Sequence, residues 1–379
     1  MLGIFSYLDY CMLGALALVM LHQCYFYLRY MTVVNRRNRQ SPNKEYCYPK
    51  VSVIVCARNE QENVQTYLHA LLHQDYPCYE VIVVNDRSED GTQLVLEQYA
   101  QQYSNLHLTF VPREARVISS KKLALTIGVK AAHYDYILLT DADCRPESIY
   151  WIREMMQGFA NEQTEVVLGY GAYFEKKSLL SALISYDTLF IGLQYLGMAA
   201  AGHPYMGVGR NLAYKKETFF RNNGFRGLLS ERAGDDDLFV NKVATTTNTS
   251  VVCSPESITW SPTKTTWREW LHQKRRHLSV APHYKAGSKI RLGIEPMTRG
   301  LFYALLIAIA VFGNGWEMMI AYGLWWLRLV MQICVINTSA YRLGGRLFGI
   351  EIVAYDILLP LITIWLLLAQ RLRKRPIYW

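Results

Sequence analysis

Charge is scarce in this chain. Only 19% of its 379 residues are Asp, Glu, Lys or Arg, against 51% hydrophobic, where soluble domains carry about 25% charge. That composition excludes an intrinsically disordered chain, which needs the opposite balance. A mean hydropathy of +0.03 can come from one greasy core or from a few greasy segments, so the placement of the apolar residues must decide. CxxC pairs are absent as well. The eight cysteines are scattered at positions 11, 24, 47, 56, 78, 144, 253 and 334, which excludes a disulfide framework and a zinc-finger spacing and suits reduced thiols. No nucleic-acid module is present, so the net charge of +9 needs another account. The basic residues gather beside apolar stretches: Arg29, Arg36, Arg37, Arg39, Lys44 and Lys50 follow the first, and Arg371, Arg373, Lys374 and Arg375 follow the last. That placement fits the flanks of membrane spans.

The apolar residues are indeed segregated. Residues 1–30 read as a transmembrane anchor: the run from Leu2 to Leu28 has one charge, Asp9, and is too long for a signal-peptide core. A basic linker, 31–49, follows. From 50 to 292 the composition is that of a soluble α/β domain. Apolar β-branched runs at Val51–Cys56, Val81–Val84, Tyr136–Thr140 and Val166–Leu168 accompany helical patterns at Glu62–His73, Thr92–Tyr103 and Lys121–Ala132. This alternation implies a mostly parallel sheet with crossover helices, which binds ligands at the carboxyl ends of its strands. Leu179–Gly202 is apolar enough to mimic a span, but with Asp187 and Gln194 inside it reads as a buried or interfacial helix. Residues 300–370 form a second membrane region of two or three helices, with candidate spans at Leu301–Phe312, Trp316–Ile336 and Leu347–Ala369, and 371–379 is a basic tail. The first basic cluster places the α/β domain in the cytoplasm, with a bacterial inner membrane favoured. Three C-terminal crossings would carry the basic tail to the other side, against the same rule. Arg328 and Asp356 within the spans read as helix-packing or interfacial groups.

Five segments carry candidate chemistry. VSVIVCARNEQENV places Arg58, Asn59 and Glu60 after a strand, and EVIVVNDRSEDGT places Asn85 and Asp86 after the next. A strand-end acid can accept hydrogen bonds from a base or ribose hydroxyl, or merely cap the next helix. YILLTDADCRP sets Asp141 and Asp143 one residue apart, and in extended backbone the two carboxylates point the same way. Such a pair suits a hard divalent ion that also takes phosphate oxygens. RAGDDDLFVNK sets Asp235, Asp236 and Asp237 side by side, where mutual repulsion can raise one pKa into the range of a general base. TWREWLHQKRRHLS combines Trp267 and Trp270 with Lys274, Arg275, Arg276 and His277, and at helical spacing Gln273 and Arg276 share a face. The GxG at Gly207 and Gly209 lacks the strand–helix context of a dinucleotide site, and the sequons at Asn248 and Asn337 read as chance matches in such a domain.

Taken in order, these segments resemble the inverting family 2 glycosyltransferases of the GT-A fold, over roughly Lys50 to Val280. The resemblance implies an α/β GT-A nucleotide-sugar-binding domain flanked by transmembrane helices. It implies that Glu60, Asp86, Lys121 and Asp141 bind the nucleotide-sugar, with a UDP-sugar favoured. It implies that Asp141 and Asp143 hold Mg2+ or Mn2+ against the donor diphosphate. The acidic triplet holds the position of the catalytic base. Counting from Gly234 selects Asp236, which is taken first; counting back from Leu238 selects Asp235, and relatives with an EDYFMAK-like sequence point to Asp237. Gln273 and Arg276, with Arg275 between them, match the family's QxxRW segment at the diphosphate and acceptor side. His277 replaces its Trp and argues against a close likeness to processive cellulose- or hyaluronan-type synthases. The activity implied is metal-dependent hexosyl transfer from a nucleotide-sugar to a lipid or lipid-linked acceptor at a membrane. The competing readings are a polysaccharide-chain synthase and a non-catalytic nucleotide-sugar-binding subunit.

Overall fold

The computed structural model describes residues 2–37, 48–112, 114–115, 120–229, 231, 233–313 and 315–372. Arg39, Lys44 and the basic residues 373–375 lie outside them. The chain opens with α1 (Leu2–Phe26), which runs through a π-helical turn, Tyr27–Met31, into α2 (Val33–Arg37). Then come β1 (Val51–Ala57), α3 (Gln61–Leu72), β2 (Tyr79–Asn85), α4 (Thr92–Gln102), β3 (Leu106–Phe110), α5 (Ser120–Ala131) and β4 (Tyr136–Asp141). β5 (Arg145–Pro146), α6 (Trp151–Gln157), β6 (Val166–Leu168), β7 (Gly171–Tyr173), α7 (Leu179–Ala200), β8 (Leu212–Lys215) and α8 (Lys216–Arg221) follow. The domain finishes with α9 (Asp237–Val243), β9 (Thr249–Val251), β10 (Thr259–Ser261) and α10 (Trp267–Leu278).

The main sheet has seven strands in the order β3-β2-β1-β4-β8-β6-β9. Its first four strands are parallel, and β8 runs antiparallel between β4 and β6. β1, β2 and β4 are central and covered on both faces, which is why VSVIVCA and YEVIVVN carry near-continuous β-branched runs. A small second sheet joins β5, β10 and β7. The four strands expected from sequence are all present. β3 is an addition: its LHLTF segment is half exposed at the sheet edge and lacks the apolar run that marks the others.

Among the described residues, five helices are long and apolar enough to cross a membrane: Tyr10–Met31, α7, and three C-terminal ones. The latter are α11 (Ala286–Phe312), α12 (Gly315–Arg342) and α13 (Glu351–Leu372). The span expected at Leu301–Phe312 is therefore the second half of a 27-residue helix. Lys289, Arg291, Glu295 and Arg299 interrupt the apolar pattern, and Pro296 sits inside the helix, so hydropathy alone shortens it. α7 is the most enclosed of the five, with 72% of its apolar window buried inside the protein, in keeping with a buried helix. α1 packs between α11 and α12, whereas α13 lies against α7 and α10.

The polar groups in these helices meet at one point. Asp356 accepts from Arg328 at 2.7 Å, Arg299 at 3.2 Å, Tyr303 at 2.7 Å and Gln332 at 3.0 Å. Glu295 pairs with Arg299 at 2.6 Å, Gln23 of α1 accepts from Arg328, and Gln332 donates to Tyr186 of α7. Two acids and two arginines thus meet in one buried network.

α7 also approaches the π turn closely. A Cβ on Gly197 would stand 2.0 Å from the carbonyl oxygen of Tyr30, whereas one on Gly14 would meet nothing within 4 Å. Overpacking of this kind costs about 1–3 kcal/mol. Gly197→Ala is expected to lower the melting midpoint of the detergent-purified protein, and Gly14→Ala to leave it unchanged; equal midpoints for both would refute the contact.

Candidate active site

Strand register gathers the site. β1 pairs Cys56 with Asp141 of β4 and Ala57 with Asn85 of β2, so the residues after all three strands emerge on one edge of the sheet. The two loops there are latched to each other. Asn59 donates through its backbone to Ser88 Oγ and accepts from Glu89 N through Oδ1. Glu60 N donates to Thr92 Oγ1. Asn59 and Arg87 both sit at φ 55°, a left-handed conformation uncommon outside glycine and concentrated at functional loops.

Asp86 is buried, and the Arg87 guanidinium lies 3.2 Å from its carboxylate. Glu60 is held by Asn63; burial, with Asp143 and Asp141 close by, raises its carboxyl above the usual range. Asp141 ends β4, and the chain turns at once, Cys144 N donating to the Asp141 carbonyl. The expectation that Asp141 and Asp143 share an extended strand is thereby corrected. They converge across a turn instead, offering ligand atoms, with Cys144, that lie within 4.8 Å of one another. Burial and the Asp141 charge raise the Asp143 carboxyl. Two carboxylates left facing each other at a strand end fit a hard divalent cation.

Lys121 closes the group. Its ammonium stands 2.9 Å from Asp141 and 3.3 Å from Asp235. Against the effect of burial, Asp141, Asp235 and Asp236 hold Lys121 well above its usual range. Lys121, again against burial, depresses Asp141 with help from Arg210 and Arg276. Lys121 keeps 42% of its side-chain surface and Asp141 30%, so both are open to solvent.

The three consecutive aspartates have different surroundings. Asp235 faces Lys121. Asp236 caps α9: its Oδ2 accepts from Gly209 N at 2.7 Å and its Oδ1 from Asp237 N at 2.8 Å. Asp237 is buried and accepts from Tyr284. Its carboxyl is raised well above the usual range by burial and by Asp236.

α10 begins with a capping box, Thr266 and Glu269, and carries Gln273, whose amide donates to Tyr173 Oη at 2.8 Å. The Tyr173 ring lies 4.3 Å from the Arg210 guanidinium. Arg276 is among the cations acting on Asp141. Arg275, expected with Gln273 and Arg276 at the diphosphate and acceptor side, points a different way from Arg276. Its guanidinium lies over Trp365 of α13, because adjacent helical residues point about 100° apart. His277 is exposed.

One residue, Lys122, was missed in the sequence, whereas Arg210 and Asn211 stand in the GVGRNLAYKKETF segment, which resembles the family's stretch between its metal and base motifs. Lys122 is fully buried, and its ammonium donates to the carbonyls of Leu228, Glu231 and Ala233 at 2.6–2.8 Å. The KK pair signals it only weakly. Arg210 donates to the carbonyls of Ala172 and Gly171. Asn211, its neighbour, braces Trp151, Tyr170 and Ser257.

Residues 52–217 match the family model described as glycosyl transferase family 2. That segment of the chain is similar to family 2 glycosyltransferases. Over 88% of its length it superposes on 98% of mannosyltransferase PcManGT from Pyrobaculum calidifontis, solved in complex with GDP-Man and Mn2+, with a TM-score of 0.56 and 20% identity. That likeness is one of fold, and the fold is GT-A. The probable glycosyltransferase YdaM of Bacillus subtilis is 26% identical over 60% of this chain and 54% of its own. The poly-beta-1,6-N-acetyl-D-glucosamine synthase of Staphylococcus epidermidis is 34% identical over 24% of this chain and 21% of its own. The beta-monoglucosyldiacylglycerol synthase of Synechocystis is 29% identical over 37% and 28%. The matched segments thus cover about half of the first relative and less of the others.

The surroundings of Asp237 make a pH prediction. An acid whose pKa is raised on folding adds stability that is complete below its unfolded value and gone once pH has risen through the folded value. Asp237→Asn removes that dependence while leaving an acceptor for Tyr284. The unfolding free energy of Asp237→Asn, minus that of the wild type, is expected to grow as pH rises from about 4, by at most about 1.4 kcal/mol per pH unit, read as a widening gap in melting midpoint. A difference flat between pH 5 and 8 would show that Asp237 is ionised in the fold.

Proposed function

We propose that this protein is an inverting glycosyltransferase that moves a sugar from a nucleotide-diphosphate sugar to a membrane-associated acceptor, with its catalytic domain on the cytoplasmic face. One observation carries the reading: Lys121 bridges Asp141 and Asp235 beside Asp143, at the carboxyl ends of β1, β2 and β4. That is a cation and a carboxylate pair suited to a diphosphate, with a further carboxylate facing them.

Glu60 and Asp86 line the strand ends where the nucleoside would lie. Asp141 and Asp143 would hold Mg2+ or Mn2+, which when bound neutralises charge on the donor diphosphate. The acceptor hydroxyl attacks the anomeric carbon from the face opposite the diphosphate. The new C–O bond forms as the bond to the diphosphate breaks, and configuration inverts. Asp235 takes the hydroxyl proton, and Lys121 and Arg276 stabilise the negative charge on the departing diphosphate. Asp235 is preferred over Asp236 on geometry. Both oxygens of Asp236 already accept backbone N–H groups, and Asp237 is buried behind the loop. Transfer assays with purified Asp235→Asn and Asp236→Asn test this. Asp235→Asn is expected to lose about 100-fold or more, and Asp236→Asn less. The reverse order would return the base to Asp236. A screen of UDP- and GDP-sugars for hydrolysis, repeated with Asp141→Asn and Asp143→Asn, identifies the donor; undiminished turnover in both variants would remove the metal role.

The acceptor is read as a lipid or lipid-linked sugar. Beside Tyr173, on the side of the membrane helices, lies a narrow cavity of about 30 Å3 lined by Tyr170, Trp260, Ser185 and the α12–α13 connection at Leu343–Phe348. Trp260 Nε1 and Ser185 Oγ are buried there without protein partners, in a space of water size. The polymer synthase among the relatives supports the alternative of a growing polysaccharide. Mass analysis of products made in native membranes separates them: one added sugar per acceptor is expected, and a ladder of oligomers would favour the polymer.

A further inference from the structure

The amino-terminal end of the parallel strands, opposite the candidate active site, holds three ligating side chains that the reaction does not use. Glu80 lies near the start of β2, His107 near the start of β3, and His133 between α5 and β4. One carboxylate oxygen and one nitrogen from each imidazole lie within 4.8 Å of one another. His133 Nδ1 is 2.7 Å and His107 Nε2 3.4 Å from the same oxygen, Glu80 Oε2. The other oxygen, Oε1, is occupied by fixed donors, Ser52 Oγ at 2.5 Å and His133 N at 2.8 Å. The carboxylate is thus oriented from behind, with its second oxygen presented to the two rings. Such outer hydrogen bonds orient a metal ligand and tune its basicity.

Glu80 is only 3% exposed, whereas both histidines are exposed. Among the described residues, no lysine or arginine forms an ion pair with it; its charged partners are the two histidines alone. A buried carboxylate calls for a cation. We propose that Glu80, His107 and His133 form a binding site for a borderline divalent ion of the Zn2+ class. Two nitrogens and one oxygen suit Zn2+ and not Mg2+, which takes oxygen ligands. This distinguishes the site from the all-oxygen pair at Asp141 and Asp143. Three protein ligands leave the fourth position to water on the exposed side. The ion would clip β2, β3 and the segment before β4 together at the end of the sheet remote from the reaction.

The test is Zn2+ competition against a chromophoric chelator, with the full chain in detergent. The wild type is expected to take up one equivalent more than the His107→Ala/His133→Ala variant. Each single His→Ala change should weaken that equivalent at least about tenfold, since losing even an outer partner costs about 10–100-fold. Both histidines are exposed, so these variants leave the core untouched. Asp143→Asn should retain the equivalent, and Zn2+ should raise the melting midpoint of the wild type more than that of the double variant. Equal uptake by the wild type and the double variant would overturn the site and leave His133 Nδ1–H as a hydrogen-bond donor to Glu80.

Discussion

Two adjacent lysines at the start of α5 set the geometry on which the rest of the site depends. Lys122 points inward, where its three N–H donors are taken by the carbonyls of Leu228, Glu231 and Ala233. A buried ammonium must satisfy its donors, so the loop's path is fixed by the helix that carries the lysine. Burial lowers the Lys122 pKa, and Asp235, Glu231 and Asp236 oppose that shift. The same loop ends in Asp235 and in Asp236, the cap of α9. Lys121 points outward and meets Asp235 from the other side. One helical turn therefore holds both the backbone and the charge of the acidic loop, and ties it to Asp141 at the end of β4.

The sheet supplies the second constraint. Parallel register puts the ends of β1, β2 and β4 on a common edge, and hydrogen bonds between the loops after β1 and β2 keep Glu60 and Asp86 on the same rim. Left-handed backbone at Asn59 and Arg87 is tolerated because Asn59, Ser88, Glu89 and Thr92 over-determine it. Strain is stored where the neighbouring structure can hold it.

Much of this was legible in the sequence for a physical reason. Central strands buried on both faces announce themselves as β-branched runs, and strand ends in such sheets carry function, so Glu60, Asp86 and Asp141 could be placed before any coordinates. What could not be read depends on distant chain segments meeting. Three identical aspartates in a row differ only by what they face: Lys121 for Asp235, Gly209 N for Asp236, Tyr284 for Asp237. Arg275 and Arg276 look interchangeable in a basic run, yet one turns to Trp365 and the other acts on Asp141. Lys122 reads as a second copy of Lys121, because burial by carbonyls from residues 228–233 leaves no pattern along the chain. The start of α11 was hidden by its own charges. Glu295 and Arg299 look like a break in a span until Asp356 and Arg328 are brought beside them.

That last cluster explains how the long apolar helices and the α/β domain keep register. A charge pair buried among apolar helices stabilises only weakly when intact, but breaking it by removing one partner costs about 3–5 kcal/mol, so it acts as a specifier of position. Here it fixes α11, α12 and α13 around Asp356, draws in α1 through Gln23, and reaches α7 through Gln332 and Tyr186. The next residue of α7, Asp187, holds Lys274 of α10 at 2.6 Å. Beside Lys274 stands Gln273, which bonds Tyr173, and Tyr173 stacks on Arg210. Two neighbouring residues of one buried helix therefore connect the polar centre of the membrane region to the helix carrying Gln273 and Arg276. The reacting face is thus set at a fixed height relative to the apolar helices.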